Sequence, residues 1–398
     1  MEPPGPAHSI RIHNRRRILA AFSGVAAISR SELIARTRMS RTTVTTIVAQ
    51  LLDEGMIRVA PPPPSIAPTV GRRPSYLALV QERGYGVAID IGHEVLQVAI
   101  ADRAGRLLAH HTSELSEDTN AAATTARVKL MVERLVVRGR YTSSQCLGIV
   151  ATIPEPIDGS GQIARAAVRT RWRGNNPAQM LTEALSFPVH VENDTNVAAI
   201  GESVFGLARG VENVIYVKVA HGIGSGIILN GRLVRGGNGL AGEIGHTQVR
   251  ADGAVCACGN RGCLYTLVTA QYLAQLLATV TNDPHLGLQG LVGLGQRHHP
   301  GAGRVLSDAG RECGRGLANL CNTLNPSLVL VGGALAHAGP WLLEGLRESM
   351  ALHTEAQVAA SMSIREASLQ GRAELYGSIA MAVQLIDPVT GGPTPASP

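Results

Sequence analysis

The chain of 398 residues is 45% hydrophobic and 3% aromatic, enough apolar material for two or three domains with buried cores. It has no run of eighteen apolar residues, which excludes a membrane-spanning helix, and its start, MEPPGPAHS, lacks the basic-then-apolar pattern of an export signal, so a cytoplasmic protein with no membrane partner is expected. The formal net charge of +6 is uneven: residues 1–80 hold eleven Arg, no Lys and four acids, a balance of +7, and the remainder sums to −1. A basic head on a near-neutral body points to a polyanion as the partner of the head.

Residues 1–13 are expected to be a flexible N-terminus and residues 14–80 an all-α winged helix-turn-helix domain. Asn14-Arg15-Arg16-Arg17 opens a first helix with Ile18, Leu19 and Phe22 on one face. Ser29-Arg30-Ser31-Glu32 has the form of a capping box, in which Ser29 accepts from the backbone of Glu32 and Glu32 reaches back. After the turn Thr37-Arg38-Met39-Ser40, Ser40 can cap a helix over about 41–54, with Val44, Ile47, Val48, Leu51 and Leu52 as its buried stripe. Arg41, Thr42, Thr43, Thr45 and Thr46 occupy its N-terminal end and other faces, the residue types that reach base edges and phosphates when such a helix enters the major groove. Strands at Met56–Val59 and Ser75–Leu79 flank a proline-rich loop and would make a wing, with Arg72 and Arg73 placed to enter a minor groove or grip phosphates. The alternative is a three-helix protein-binding module.

The body reads as α/β. Two apolar strands flank a turn carrying Asp90 and Gly92; further strands fall at 147–153 and 189–194, and the strand–turn–strand pattern returns over 214–230 with Gly222-Ile223-Gly224-Ser225-Gly226 at its turn. Helices are expected at 175–186 and 305–323, and another strand at 328–331 before Gly332-Gly333. Two similar halves, each opened by a hairpin, would close on a cleft.

One short window carries His246, Cys256, Cys258 and Cys263, three thiols and an imidazole that can fill the tetrahedral shell of a structural zinc. Its glycines let the loop turn tightly enough to bring the thiols together. The same window holds Glu243, and a metal loop that also aims a carboxylate builds a ligand pocket. The competing reading is a set of cysteines that meet by chance or form a disulfide. Six unevenly spaced cysteines fit a reducing compartment and a metal better than a disulfide framework.

Glu192-Asn193-Asp194-Thr195-Asn196, Ala241-Gly242-Glu243-Ile244-Gly245-His246, the cysteine run, and Asn325-Pro326 with Gly332-Gly333 make the chain resemble the ROK family (repressors, open reading frames and sugar kinases) over about residues 14–388. The resemblance implies an α/β fold: an actin/hexokinase-like two-lobed body behind the winged head. Residues 85–196, completed by a C-terminal helix at about 372–388, would form the first lobe. Residues 197–371 would form the second, with the zinc site and a dimerisation surface, and 389–398 a flexible tail. The head places the chain with the family's regulators. In sugar-binding members the matches to Asn193, Asp194, Glu243 and His246 contact the sugar, and the match to Asp194 is the base that deprotonates the hydroxyl to be phosphorylated. His246 would then put one ring nitrogen on zinc and aim the other at a hydroxyl. The residue-level alternative for Asn193 and Asp194 is an Asx turn after a strand.

The chain departs from the family's kinases at the first hairpin turn. Their Asp-x-Gly-Gly-Thr, which cradles ATP phosphates, is Asp90-Ile91-Gly92-His93-Glu94 here, and Glu94 would repel phosphate. At the second turn His221 stands where the kinases have a hydroxyl. Tyr265 replaces a Glu, and Pro154-Glu155 replaces a Pro-Gly turn, so plain glucose is not the expected effector. The expected function is a ROK-type repressor of carbohydrate genes. It would bind double-stranded operator DNA as a homodimer or dimer of dimers, answer to a sugar or sugar-derived effector, and hold one structural zinc per chain. It would have no catalytic residue, Asp194 being a vestigial base. Two rivals are a sugar kinase with an appended DNA-binding head, favoured by the retained Asp194, and a regulator controlled by a protein partner.

Overall fold

The computed structural model describes residues 14, 17–19, 21–22, 25, 27–53, 57–61, 75–80, 84–116, 118–158, 161–163, 170–383 and 385. The segments 1–13 and 389–398, and the wing arginines Arg72 and Arg73, lie outside the described residues.

In the head, the capping box forms as read. The Glu32 amide donates to Ser29 Oγ at 3.2 Å, and Glu32 Oε2 accepts from the Ser29 amide at 2.8 Å, starting the helix Arg30–Thr37. Arg38 ends that helix in the left-handed conformation (φ 52°), which turns the chain into the next helix, Arg41–Asp53. Val44, Ile47, Val48 and Leu51 are buried there, with Leu52 partly so, against Ile18, Phe22 and Leu33. Strands β2 (Ile57–Ala60) and β3 (Tyr76–Leu79) pair as the wing, and β3 also pairs with a two-residue strand β1 (Ile28–Ser29) that the sequence pattern did not suggest.

The body contains two five-stranded sheets with one topology. The first holds β4 (Tyr85–Ile91), β5 (Val95–Asp102), β6 (Leu107–Glu114), β7 (Cys146–Ile153) and β8 (Val189–Asn193) in the order β6-β5-β4-β7-β8. The second holds β9 (Val214–Val219), β10 (Ile223–Leu229), β11 (Arg232–Leu233), β12 (Leu328–Gly332) and β13 (Ser363–Glu366) in the order β11-β10-β9-β12-β13. In each sheet the first three strands form an antiparallel meander and the last two run parallel to the first. The two similar halves read from the sequence are therefore real.

Two helices, Asp194–Val204 and Ala373–Ala382, lie between the sheets and share a core with both: Ala88, Ala99 and Val150 from the first, Val214, Tyr216 and Leu330 from the second. They pack backbone to backbone. A Cβ on Gly201 would stand 2.3 Å from the Ala373 carbonyl oxygen, and one on Gly377 1.9 Å from that of Val197. The expected lobe boundary at 196/197 falls inside the first of these helices, which belongs to both halves. On their outer faces the first sheet is covered by helices Ala121–Gly139 and Pro177–Leu185, the second by the long helix Pro300–Leu324 and helix Trp341–His353.

The head is anchored on the body by the turn between β5 and β6. Asp102 Oδ1 accepts from the amides of Ala104 and Arg106, both at 2.9 Å, and Ala104 is buried within the apolar core of the head.

Candidate functional site

The parallel strands of the first sheet end together. Asp90 pairs in register with Thr152, and Ile153 with Asn193, so the turns that follow these strands open on one crevice, the usual ligand position in such sheets. Opposite them stands Lys218 on β9. Its Nζ donates to Asp194 Oδ2 at 2.7 Å and meets Glu374 Oε1 at 2.5 Å. Burial alone would lower the pKa of Lys218, but Asp194, Glu374 and Asp90 outweigh it and hold the ammonium well above its ordinary value. Asp90 accepts from Thr152 Oγ1 at 2.8 Å and from Gln97 Nε2 at 3.1 Å. Burial, with Glu374 next, pushes its pKa up to about 7.

Asn193 and Asp194 sit where helix Asp194–Val204 begins. Asn193 Oδ1 accepts from the amides of Thr195 and Asn196 at 3.0 and 3.1 Å, so the Asx turn weighed against ligand contact is present and caps the helix. Its Nδ2 donates to the Glu155 carbonyl at 3.3 Å. Asp194 Oδ1 accepts from Thr195 Oγ1 at 3.0 Å, so both its oxygens have protein partners. Beneath them Glu192 is closed off, with Arg235 Nε 2.6 Å from Oε2 and the Asn193 amide 2.9 Å from Oε1.

Glu243 and His246 are carried by a turn of the second lobe. The turn carrying them is fastened to β10, since the Ser225 amide and Oγ both donate to the Gly242 carbonyl at 2.9 and 3.0 Å. Gly242 has φ 91° and a Cβ there would fall 1.9 Å from the Ser225 carbonyl oxygen, so no other residue fits. β10 in turn lies on helix Asp194–Val204, with Gly224 against Thr195. Glu243 Oε2 is 3.8 Å from His246 Nε2, and the His246 ring stacks on Tyr265 at 6.0 Å between centroids.

The four expected metal ligands converge. The ligand atoms of His246, Cys256, Cys258 and Cys263 all lie within 4.8 Å of one another, a cluster that could hold one metal ion. Cys256 Sγ is 3.6 Å from His246 Nδ1, and Cys258 Sγ is 3.6 Å from Cys263 Sγ, with no cysteine in a disulfide. The knuckle is shaped by Gly262, whose Cβ would meet the Arg250 carbonyl oxygen at 1.5 Å.

At the two hairpin turns, His93 and His221 face each other with ring centroids 4.8 Å apart, and Glu94 Oε1 stands 3.8 Å from His221 Nε2. Imidazoles and a carboxylate thus line the gap between the turns.

On the head, Ser40 Oγ accepts from the Thr43 amide at 3.1 Å and so caps helix Arg41–Asp53. Ser40, Arg41, Thr42, Thr45 and Thr46 are exposed and Thr43 is half-buried, on the side away from the buried stripe. Sequence reasoning missed Lys218, Glu374 and the environment of Glu155. For Lys218 a signal existed: the chain has only two lysines, and this one interrupts the apolar strand Val-Ile-Tyr-Val-Lys-Val.

A basic helix-turn-helix head fused to a two-lobed body with a polar crevice defines a ligand-responsive transcriptional regulator. The chain belongs to the ROK family, whose model matches residues 86–385, and a winged helix-turn-helix DNA-binding model matches residues 13–58. It is 28% identical to the xylose repressor of Bacillus subtilis over 379 residues, 95% of this chain and 97% of that one. A ROK family transcriptional regulator, homolog of the Escherichia coli MLC protein, superposes with TM-score 0.73 at 22% identity over 94% and 96% of the two chains. A ROK family glucokinase from Streptomyces griseus, solved with glucose and AMPPNP, gives TM-score 0.64 at 26% identity, covering 76% of this chain and all of that one.

Asp90 supplies a pH test of the crevice. An unfolded Asp titrates near 4, so between about pH 4 and 7 the folded chain holds a proton that the unfolded chain releases. The stability this contributes is complete below pH ~4 and is lost as pH rises through 7. Asp90→Asn lacks that decline, so its melting temperature should gain on the wild type by roughly 3–6 °C between pH 5 and 8. Parallel melting curves across that range would show that Asp90 is ionised throughout.

Proposed function

We propose that this protein represses carbohydrate-metabolism genes by binding operator DNA through helix Arg41–Asp53 and the wing, and that a sugar in the body crevice alters that binding. The observation that carries this reading is the exposed Ser40, Arg41, Thr42, Thr45 and Thr46 face on a winged head joined to a ROK body. Arg72 and Arg73 would add phosphate or minor-groove contacts. The body would bring two heads onto an inverted repeat as a homodimer or dimer of dimers. A DNA partner implies a cytoplasmic protein, and among the described residues no helix is long and apolar enough to cross a membrane.

Asn193, Asp194, Glu243 and His246 are the proposed effector contacts, amide and carboxylate groups suited to hydroxyl arrays. A route to the head is built into the fold. Helix Asp194–Val204 starts at the crevice and is followed by Phe205, whose ring fills the space a Cβ of Gly105 would take, at 2.5 Å. Gly105 adjoins Ala104, which is buried in the head core. Coupling of this kind is as large as the difference in sugar affinity between the two head arrangements.

The proposed effector site is not a phosphotransfer site. A base must accept a proton from the substrate hydroxyl, and the Asp194 carboxylate is already neutralised by Lys218 at 2.7 Å. Glu94 would meet the phosphates of ATP with like charge. Incubation with ATP and D-xylose or D-glucose should give no sugar phosphate above background; ATP-dependent product that disappears in Asp194→Asn would establish the kinase reading instead.

The metal is proposed to be zinc. Zn–S bonds of about 2.3 Å and Zn–N bonds of about 2.1 Å in a tetrahedron give edges of about 3.6–3.8 Å, and the Cys–Cys and Cys–His separations are both 3.6 Å. His246 would bind through Nδ1, leaving Nε2 on the Glu243 side. The ion's contribution would be structural: it fixes the ring that faces the effector. Elemental analysis should find one zinc per chain, and Cys258→Ser should lose it together with the sugar response. Retention of both folding and sugar response in that variant would remove the zinc assignment.

Gel-shift titration of the DNA upstream of the protein's own and neighbouring genes tests the main reading. Arg41→Ala should weaken binding about tenfold or more, and one sugar of a panel should shift the wild-type affinity. Unchanged binding in Arg41→Ala would move the DNA interface elsewhere.

A further inference from the structure

Glu155 lies in the turn after β7, beside the end of β8, and its carbonyl is held by Asn193 Nδ2 at 3.3 Å. Its side chain is 8% exposed. Oε1 accepts from Thr170 Oγ1, and the Thr170 hydroxyl oxygen itself accepts from the Trp172 amide at 3.2 Å, so the carboxylate is held in place from one side. Oε2 is buried and has no hydrogen-bond partner among the described residues. A buried carboxylate oxygen in that state is costly unless something donates to it.

The second lobe closes on this turn. Gly239 approaches so closely that its Cβ would lie 2.0 Å from the Ile157 carbonyl oxygen. Four residues later the chain reaches Glu243. The turn that carries Glu155 therefore meets Asn193 of its own lobe, through the Glu155 carbonyl, and the segment leading to the Glu243 turn of the other lobe, through Ile157. Asn193 Oδ1 already accepts from two amides, and Asp194 from Lys218 and Thr195. Burial raises the pKa of Glu155, and Asp194 adds to the rise, while Thr170, the residue's own amide and Arg171 oppose it; a carboxyl so held is matched to a hydroxyl.

We propose that Glu155 is an effector-contacting residue that determines specificity, its Oε2 hydrogen-bonding one hydroxyl of a neutral polyhydroxylated ligand in the crevice. This rests on the sugar-effector reading above. With Glu155, Asp194 and Glu243 around it, the ligand is an uncharged sugar rather than its phosphate. A site built around one hydroxyl rejects analogues that lack it, because the protein oxygen is then left buried and unpaired.

The test follows tryptophan fluorescence of the full-length protein, since Trp172 is one of only two tryptophans and is bonded to the residue that holds Glu155. The probes are D-xylose, D-glucose, their monodeoxy analogues and the corresponding sugar phosphates, titrated into wild type, Glu155→Gln and Glu155→Ala. Glu155→Gln keeps the volume, and operator binding without sugar reports that each variant is folded. Expected are roughly 10- to 100-fold weaker binding of the favoured neutral sugar in both variants, and loss of wild-type discrimination against one deoxy analogue. Thr170→Val should show a smaller loss in the same direction. Wild-type binding that is unchanged or tightened by both Glu155 substitutions overturns the proposal and leaves the sugar effector standing. A phosphate preferred to its parent sugar also overturns it. A folded, DNA-binding wild type that binds no sugar of the panel removes the proposal together with the effector reading.

Discussion

The ammonium of Lys218 is the contact on which the rest of the body depends. It joins β9 of the second lobe to the start of helix Asp194–Val204 and, through Glu374, to helix Ala373–Ala382. These are the two helices around which both sheets pack. Three carboxyls, Asp90, Asp194 and Glu374, act on this one cation. Without it they would face each other in a region that is poor in water, and the cost of leaving buried charges unpaired exceeds what packing around them returns. Lysine suits the place better than the arginine that dominates elsewhere in this chain. A compact ammonium with three donors can serve carboxylates arriving from different directions, whereas a planar guanidinium fork is shaped for one.

The same contact bears on the proposal that this body does not carry out phosphotransfer. A carboxylate that acts as a general base must take up the substrate proton, and a cation held against it disfavours the protonated form. Asp194 has an ammonium on one oxygen and the Thr195 hydroxyl on the other. Such a carboxylate still takes part in hydrogen bonding to hydroxyls, because each oxygen has a second lone pair. Fold similarity to a glucokinase does not by itself carry that enzyme's chemistry, because function lives in the groups of the site, and here Lys218 is paired with Asp194.

What the sequence disclosed follows from how local each feature is. The metal cluster was readable because its four ligands fall between His246 and Cys263, and a loop that short leaves few ways to arrange them. The Ser29–Glu32 box and the Val44–Leu51 stripe were readable for the same reason, since helix periodicity and capping are set within four residues. β6 and β13 were not read, because both are edge strands with little buried face and hence no alternation of apolar and polar residues. Lys218 was missed as a site residue, and Glu155 was marked only as a departure from a Pro-Gly turn, for a different reason. Their meaning lies in partners brought from other elements, Asp194 and Glu374 in one case, Thr170 and Asn193 in the other, and no local pattern encodes that convergence.

Glycine placement shows why movement at the crevice would not stay there. Where the helices between the sheets touch, Gly201 and Gly377 bring backbone against backbone, and Gly226 does the same between β10 and helix Asp194–Val204, with Ala199 Cβ and the Thr195 carbonyl oxygen both 2.7 Å from where its own Cβ would be. Contacts between main chains have no side-chain torsions through which to absorb a displacement, and close-packed interiors transmit strain instead of dissipating it. A shift of β10 would therefore move the helix or break its packing. The helix leads to Phe205, which is packed against Gly105, and the turn containing Gly105 is stiffened by Asp102 through two amides and an ion pair to Arg106 at 2.9 Å. Ala104, in that turn, is part of the head's own core. The proposed effector crevice and the head are thus linked by one helix and one turn, an arrangement through which a change in lobe angle would reach the head.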